Sequence, residues 1–294
     1  MVRMASALSS AAMTIAIVTS DVDWVRADKE DMLLIAALGD IDVASVRIAW
    51  DTRVDWSSFT AVVISTTWDY HHRASEFLQW IDLASQATTM WNPPEMIRWN
   101  ANKRYLIQMS EAGLAVIPTA AAGTVIGVGE AADVWGADDV VIKPVVSASA
   151  RGTAKFRATD VVGVGDHLAA LSEPMIVQPF QPSVETDGET SLVYFDGVYS
   201  HAVRKNPKPG DFRTQTHLGG TLAPTQPRSA QLTAAEEAIA FIDQLPLYVR
   251  VDLIEGDEGP LLIELELIEP SLFLTVCEGS AERFAAAIAT RLPE

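Results

Sequence analysis

The sequence contains one cysteine and few basic residues. Because Cys277 stands alone among 294 residues, no disulfide can form within the chain, and a reducing, cytoplasmic setting is predicted. The 21 lysines and arginines are outnumbered by 39 acidic residues, which gives a formal net charge of -18. This balance argues against nucleic acid or an anionic membrane as the main partner. An anionic ligand would require the few basic side chains to gather at one place.

Long apolar runs are also missing. No stretch approaches the ~18 consecutive apolar residues that a membrane helix needs. Residues 1–12 weakly resemble a signal peptide, but the apolar stretch after them ends in a polar loop, as a first strand would. We therefore expect a flexible extension over residues 1–12, with Met13 as an alternative start. Hydrophobic residues still make up 49% of the chain, which predicts a globular protein with a large core.

The first hundred residues alternate between strand-like and helix-like segments. Strands are predicted at residues 14–20, 42–50 and 61–70, and amphipathic helices at residues 29–40 and 74–85. This βαβαβ order predicts a parallel α/β sheet with right-handed crossovers. Ligands of such sheets bind at the carboxyl ends of the strands, which is where the segment STTWDYHHR lies.

That segment supplies candidate substrate contacts. The predicted substrate-facing residues of this strand end are Thr67, Trp68, Asp69 and Tyr70. An aspartate that caps a helix beside core aromatic rings would give the same pattern, so the structural alternative stays open. His71 and His72 are expected to be solvated loop residues.

The rest of the chain is predicted to contain two hairpins and a long polar loop. The tandem prolines in residues 91–100 predict a break in regular structure and a domain boundary. Helices are predicted at residues 101–113, 229–245 and 280–292, strands at residues 138–146 and in the segments AKFRAT and MIVQPF, and hairpins over residues 190–206 and 247–269. Residues 206–224 are predicted to be a long polar loop, and such loops are often functional.

The segment LLIELELIEPS, residues 261–271, places like charges close together. Strict alternation along this strand puts Glu264 and Glu266 on one face, together with Leu262. Asp252 lies on the partner strand of the same predicted hairpin. Three carboxylates on one sheet face are the hard oxygen donors that Mg²⁺ prefers, and no histidine or cysteine nearby indicates zinc. A solvent-exposed strand face would explain the same pattern.

Basic residues are scattered through the second half of the sequence. Lys143 lies inside an apolar strand before a loop of small residues, and Lys103 lies at a predicted helix start. Each could be an ordinary surface charge, as could Arg204, Lys205, Arg213 and Arg250. Together they could form a polyphosphate cradle, and a cation cluster beside a metal site indicates phosphoryl transfer.

The order of these motifs resembles the ATP-grasp superfamily. A lysine at a helix start precedes VIKP and a small-residue loop, and these are followed by QPF, a basic strand end, a GG loop, and finally VD and IELE. The resemblance covers residues 95–294. The narrower stretches STTWDY, NPPEMIRWNANKRYL, THLGG and ELELIEPSLFL are similar to the cycloserine-biosynthesis branch, the D-cycloserine synthetases and their relatives.

The resemblance implies a fold and a division into domains. The implied class is α/β, with an N-terminal parallel α/β pre-ATP-grasp domain at residues 13–100 followed by a two-subdomain ATP-grasp fold of α+β type. The central subdomain would span residues 101–180. The C-terminal subdomain, which carries the metal site, would span residues 181–294.

The resemblance also implies residue roles. ATP would contact Lys103, Lys143, Ser147, Ser149, Arg151, Gly152, Gln178, Pro179, Phe180, Glu185 and Glu189, with either of the last two on the ribose. Mg²⁺ would be held by Asp252, Glu264 and Glu266, and the catalytic arginines would be Arg204, Arg213 and Arg250. The substrate would contact Thr67, Trp68, Asp69, Tyr70, His217, Gly219, Gly220, Glu269 and Ser271. The chain departs from the family pattern where Glu266 replaces a common asparagine and where Gly152 is the one glycine of the SASARGT loop, which weakens the assignment of that loop to phosphate.

These observations predict an ATP- and Mg²⁺-dependent ligase. It would activate a carboxylate as an acylphosphate for attack by a nitrogen, by cyclisation of an amino-oxy amino acid as in D-cycloserine synthesis. The alternatives are a ligase that joins two molecules into a dipeptide or conjugate, and a nucleotide-binding regulator without activity. The expected partner is a small amino-acid-like molecule, with no nucleic acid and no membrane, and a homodimer is compatible with the sequence.

Overall fold

The structure is a computed structural model that describes residues 13–26 and 28–293. The predicted extension over residues 1–12 lies outside these residues. Within the described ranges, the strands form one parallel and two antiparallel sheets. The predicted combination of a parallel α/β unit with an antiparallel grasp is therefore confirmed. None of the described helices is long and apolar enough to cross a membrane.

The first sheet is parallel and has four strands in the order β2-β1-β3-β4. Its strands are β1 (Thr14–Thr19), β2 (Ala44–Ala49), β3 (Ala61–Ile64) and β4 (Thr89–Trp91), and the helices between them are α1 (Asp23–Arg26), α2 (Glu30–Gly39) and α3 (Ala74–Ala87). Ile15 and Ile17 pack in one core cluster, whereas Ala16 and Val18 pack in another. Both faces of β1 are thus covered, as expected for a parallel sheet.

The third strand is shorter than predicted. It ends at Ile64 rather than at residue 70, because the next side chains enter a hydrogen-bond network. Thr66 Oγ1 donates to Asp31 Oδ2 at 2.6 Å, and the hydroxyls of Thr66 and Thr19 lie 2.6 Å apart. A 3-10 turn follows at Tyr70–His72. The segment predicted to face a ligand is therefore a loop at the carboxyl end of the sheet.

The tandem prolines mark a break in regular structure as predicted, because Asn92 and Pro93 lie between β4 and the next helix. Pro94 opens helix α4 (Pro94–Asn100), because proline is well tolerated in a first helical turn, where its missing N–H needs no partner. Asn92, just before it, adopts a left-handed φ of 63°. Its side chain donates to Tyr248 O and Leu267 O at 2.8 and 2.9 Å. Asn92 therefore links the segment between β4 and α4 to the last third of the chain.

The second sheet is antiparallel, with strand order β5-β8-β6-β7. Its elements are α5 (Tyr105–Glu111), β5 (Ala120–Ala121), α6 (Val125–Trp135), β6 (Asp139–Pro144), β7 (Ala154–Arg157), α7 (Val161–Leu171) and β8 (Met175–Pro179). The helix predicted from residue 101 begins only at Tyr105. Lys103 lies in the preceding turn, where its N–H donates to Val145 O at 2.8 Å.

The third sheet is antiparallel, with strand order β11-β10-β9-β12-β13. Its elements are α8 (Ser183–Thr186), β9 (Glu189–Phe195), β10 (Val198–Asn206), β11 (Thr221–Thr225), α9 (Ser229–Ala240), β12 (Tyr248–Gly256), β13 (Gly259–Glu266) and α10 (Ser280–Thr290). Both predicted hairpins are present. The polar loop predicted over residues 206–224 is shorter, because its last part pairs with β10 as strand β11.

One core cluster joins the two ends of the described chain. Ile15 and Ile17 of β1 and Leu34 of α2 pack with Phe284 and Ile288 of α10. Each of these side chains is at most 1% exposed. The last helix therefore packs against α2 and joins the core that contains one face of β1.

Candidate active site

Residues from all three sheets border one cleft of about 950 Å³. Tyr70 reaches it from the loop after β3, Lys143 from β6 and Asp252 from β12. The cleft is thus built by the parts of the chain that the motif order predicted to come together.

Three carboxylates meet on the β12–β13 hairpin, as predicted. Oxygen atoms of Asp252, Glu264 and Glu266 lie within 4.8 Å of one another. Asp252 is buried and the two glutamates are half-buried. An all-oxygen donor set of this size fits Mg²⁺, which takes oxygen ligands and usually retains waters and substrate phosphates.

A β-bulge aims the two glutamates at the cleft. Asp252 pairs with Glu264 but Leu253 pairs with Leu262, which leaves Ile263 as an extra residue in β13. Leu262 and Leu265 consequently both pack in the core, although they are three residues apart. Strict alternation, which placed Leu262 on the face of the glutamates, is therefore wrong at this point.

Basic side chains of the protein compensate the three carboxylates. Asp252 accepts from Lys205 Nζ at 2.8 Å and from Arg250 Nε at 3.0 Å. Glu264 lies 3.0 Å from Lys103 Nζ, and Glu266 pairs with Arg250. Because each carboxylate has a basic partner, Glu264 and Glu266 can lie close together on one strand.

The ionisation of these carboxyl groups follows from burial and from those partners. Burial opposes the charge on Asp252, but Arg250 and Lys205 outweigh it and hold its pKa below the usual value. Burial likewise opposes the charge on Glu264, and Lys103 and Lys143 lower its pKa. For Glu266, burial prevails over Arg250 and raises the pKa to about 7.

Lys143 borders the cleft without a counter-ion. Among the described residues it forms no ion pair, and burial lowers the pKa of its ammonium group. Glu264 and Lys103 act on it only at longer range and with opposite effects. A half-buried ammonium that faces a cleft and has no ion-pair partner is suited to bind an anion.

The predicted nucleotide residues mostly border the cleft. Those that do are Lys103, Lys143, Ser147, Ser149, Arg151, Gln178, Pro179, Phe180 and Glu189. Lys103 Nζ also donates to Ser147 O at 2.7 Å, which ties this lysine to the small-residue loop. Gly152 and Glu185 are not in the lining. Gly152 packs against Pro144, and Glu185 is half-exposed beside Lys155.

The aromatic ring of Phe180, just after β8, has partners that the sequence did not indicate. Lys155 Nζ lies 3.4 Å from the centre of the Phe180 ring, and Phe212 meets that ring edge-on. A cation over an aromatic face is a stabilising contact. The end of β8 is therefore held from two sides.

The three predicted catalytic arginines differ in placement. Arg250 borders the cleft, with its guanidinium fixed by Asp252 and by a 3.0 Å hydrogen bond to Ser271 O. Arg213 borders it too but pairs with Asp211 at 2.9 Å. Arg204 is outside the lining, where it donates to Asp187 O.

The predicted substrate residues divide in the same way. Trp68, Tyr70, His217, Glu269 and Ser271 border the cleft, whereas Thr67, Asp69, Gly219 and Gly220 do not. Asp69 instead accepts from Trp50 Nε1 at 3.1 Å and from Ser20. A side chain at Gly220 would meet Thr214 O at 2.2 Å, so this glycine allows backbone packing.

His71 is not the solvated residue that was predicted. It is half-buried, it borders the cleft, and burial lowers the pKa of its imidazole to about 4. The ring is therefore neutral at pH 7. His72 is exposed, as expected.

Glu30 is a cleft residue that the sequence did not reveal. It opens α2, is only 5% exposed and borders the cleft near Trp68 and Ser271. Ser271 Oγ and Leu272 N–H donate to its two carboxylate oxygens at 2.7 and 2.8 Å. Acidic residues are common in first helical turns, so the sequence carries no signal that separates this one.

We expect the free energy of unfolding of the unliganded protein to decrease as pH rises, because of Glu30. Burial raises its pKa from 4.5 to about 7, and the neighbouring Asp28 adds to this rise. A group whose folded pKa is raised stabilises the fold below its unfolded pKa and loses that contribution as pH rises through the folded value. Relative to Glu30→Gln, the wild type should lose up to about 3 kcal/mol of unfolding free energy between pH 4.5 and 7. Urea denaturation of both proteins across this range measures the difference, and parallel pH profiles would contradict it.

Comparison with known proteins identifies close relatives. A family model described as D-cycloserine synthetase DcsG, N-terminal domain, matches residues 15–92. The cycloserine biosynthesis protein DcsG of Streptomyces lavendulae is 34% identical over 285 residues, which cover 88% of this chain and 92% of that protein. The crystal structure of D-cycloserine synthetase DcsG matches with a TM-score of 0.86 at 31% identity, over 95% of this chain and 100% of that one. A RimK domain ATP-grasp protein of Sphaerobacter thermophilus matches with a TM-score of 0.68 at 18% identity, over 96% of this chain and 100% of its own, which supports the fold alone.

Proposed function

The chain belongs to the D-cycloserine synthetase family of ATP-grasp ligases, and from this membership we propose that it closes an amino-oxy amino acid into a ring at the expense of ATP. It is a ligase that joins a carboxylate to an amine. The finer steps, which are activation as an acylphosphate and attack by a nitrogen of the same molecule, are the proposal.

One observation carries it. The carboxylates of Asp252, Glu264 and Glu266 face the same cleft as Lys143, which has no counter-ion among the described residues. A divalent-cation site and a phosphate-seeking ammonium in one cleft are what phosphoryl transfer from ATP requires. A nucleotide-binding regulator would need the lysine but not three converging carboxylates.

Different residues of the cleft would have different roles in this reaction. Asp252, Glu264 and Glu266 would hold Mg²⁺, which when bound neutralises phosphate oxygens. Lys103 and Lys143 would bind the phosphates, and the end of β8 at Phe180 would hold the base. Arg250, fixed by Asp252, would orient the substrate carboxylate for transfer.

The proposed reaction has two steps. A substrate carboxylate oxygen attacks the γ-phosphorus of ATP, the bond to the bridging oxygen breaks, and ADP leaves with that electron pair. The nitrogen lone pair then attacks the acyl carbon, phosphate leaves, and the nitrogen loses a proton. Because nucleophile and carbonyl belong to one molecule, no second reactant has to be brought into place. The cleft would also keep water from the acylphosphate.

The test is ADP release over a panel of amino acids with Mg²⁺-ATP, with products identified by mass spectrometry. O-amino-D-serine should release one ADP for each ring formed, at a rate that does not depend on added amines. A strict need for a second amine would replace cyclisation by the conjugating ligase. Tight ATP binding with no product across the panel would favour the regulator.

A further inference from the structure

We propose that Glu30 is the receptor for the α-ammonium group of the substrate, so that the enzyme accepts free α-amino acids and rejects their deaminated counterparts. The inference rests on the proposed function and specifies the substrate class of that cleft. It concerns a side chain to which neither the motif pattern nor the comparisons give a role.

Glu30 has the position that an ammonium receptor needs. It borders the cleft as the first residue of α2 and is only 5% exposed. Ser271 connects the two sides, because its hydroxyl donates to Glu30 at 2.7 Å while its carbonyl accepts from Arg250 at 3.0 Å. An α-amino acid carries its ammonium and carboxylate on one carbon. Glu30 would bind the ammonium and Arg250 the carboxylate. Because both contact Ser271, their spacing suits two groups on one carbon.

The carboxylate of Glu30 can accept more hydrogen bonds than it does in this structure. An ionised carboxylate offers about four acceptor sites; Ser271 and Leu272 occupy two of them, and the backbone N–H of Phe273 adds a weaker interaction. All of these donors are uncharged. Among the residues whose side chains the structure describes, which are 13–23, 25 and 28–293, no lysine, arginine or histidine forms an ion pair with Glu30.

The electrostatics favour a cationic ligand. An ionised carboxyl group in a buried site without a cation is unfavourable, which is why burial raises the pKa of Glu30 to about 7. Asp28 borders the same part of the cleft and adds negative potential. A bound ammonium would supply the missing charge and a donor for the unused oxygen sites.

The receptor would also keep the α-nitrogen out of the reaction. An amine held as ammonium has no lone pair and cannot attack the acyl carbon. A weakly basic amino-oxy nitrogen elsewhere in the molecule keeps its lone pair at neutral pH. Glu30 would thus bind one nitrogen and leave the other free.

The experiment compares two compounds that differ only in the α-amine, O-amino-D-serine and 3-(aminooxy)propanoic acid. Their binding is measured by calorimetry with Mg²⁺ and a non-hydrolysable ATP analogue. The wild type should bind the amine-bearing compound at least about tenfold more tightly, since a charge-assisted bond in a buried site is worth that much. Glu30→Gln should lose most of this preference, and Glu30→Asp should keep part of it.

Asp31→Asn is the matched control. Asp31 is the next residue of α2, is 1% exposed and pairs with Arg47 at 2.7 Å, but it does not border the cleft. Its replacement should lower the thermal midpoint and leave the preference between the two compounds unchanged. A purely structural role of Glu30 predicts the same pattern for Glu30→Gln.

The outcomes separate this inference from the proposed function. Equal binding of both compounds by the wild type, binding of neither, or a preference that survives in Glu30→Gln overturns the receptor. Turnover of both compounds at equal efficiency removes the receptor and leaves the ligase standing. Glu30-dependent binding of the amine without ADP release leaves the receptor standing and removes the ligase.

Discussion

Glu264→Gln is expected to lower turnover by roughly a hundredfold or more in saturating Mg²⁺-ATP. Glu264 is one of three carboxylates within 4.8 Å of one another, and an amide is a much weaker ligand for Mg²⁺. Loss of one ligand at a phosphoryl-transfer site commonly costs several kcal/mol of transition-state stabilisation, and about 1.4 kcal/mol corresponds to each factor of ten. The fold should survive, because Lys103 keeps its 2.7 Å hydrogen bond to Ser147 O.

The measurement pairs turnover with the thermal midpoint, each with and without Mg²⁺-ATP. Glu264→Gln should lose most of the stabilisation by ligand. Glu266→Gln should leave the midpoint without ligand unchanged or slightly raised, because burial already raises the pKa of Glu266 to about 7. Glu258→Gln, in the exposed turn of the same hairpin, is the control and should match the wild type. Full activity and full ligand stabilisation in both cleft variants would place the metal site elsewhere.

Lys143→Met is expected to weaken ATP binding by roughly thirtyfold or more and to reduce turnover accordingly. A charge-assisted contact from a buried ammonium to a phosphate contributes about 2 kcal/mol. Methionine keeps much of the volume and removes the charge. Because burial lowers the pKa of Lys143 and no described residue pairs with it, the protein without ligand should be as stable as the wild type or more so.

Affinity for a non-hydrolysable ATP analogue, measured by calorimetry, tests the first effect, and the thermal midpoint tests the second. Lys208→Met provides the control, since this lysine is exposed and lies outside the cleft lining. Lys143→Ala should show the same loss of nucleotide with some loss of packing. Unchanged affinity in both Lys143 variants would remove this lysine from the mechanism.

The sequence predicted the parts of the site that local patterns encode. Strand patterns identified both hairpins, and the second hairpin brought Asp252, Glu264 and Glu266 together. Lys143 was conspicuous because a charge inside an apolar strand has few explanations. Each of these signals depends on neighbours within a few residues.

The parts that the sequence did not predict depend on distant contacts. The bulge at Ile263 arises because Leu262 and Leu265 both find core partners, which no alternation rule foresees. In the sequence, Glu30 cannot be distinguished from other acidic residues in first helical turns, because its contact with Ser271 forms only in the folded protein. The polar loop became partly strand because β10 offered it an edge. Tertiary packing decided each of these cases.

The contacts around the cleft are among the longest-range in the chain, and this has a consequence for folding. Ser271 and Glu30 are separated by 241 positions, and Trp68 Nε1 donates to Glu269 O across 201. Contacts of such high sequence separation form late, because the loops that join them must be closed first. During synthesis α2 would also await α10, which packs against it in the cluster that contains Ile15, Ile17 and Leu34. A chain interrupted before Glu269 would lack α10 together with the cleft residues Glu269 and Ser271, so that exposure to chaperones or proteases and lack of activity should coincide.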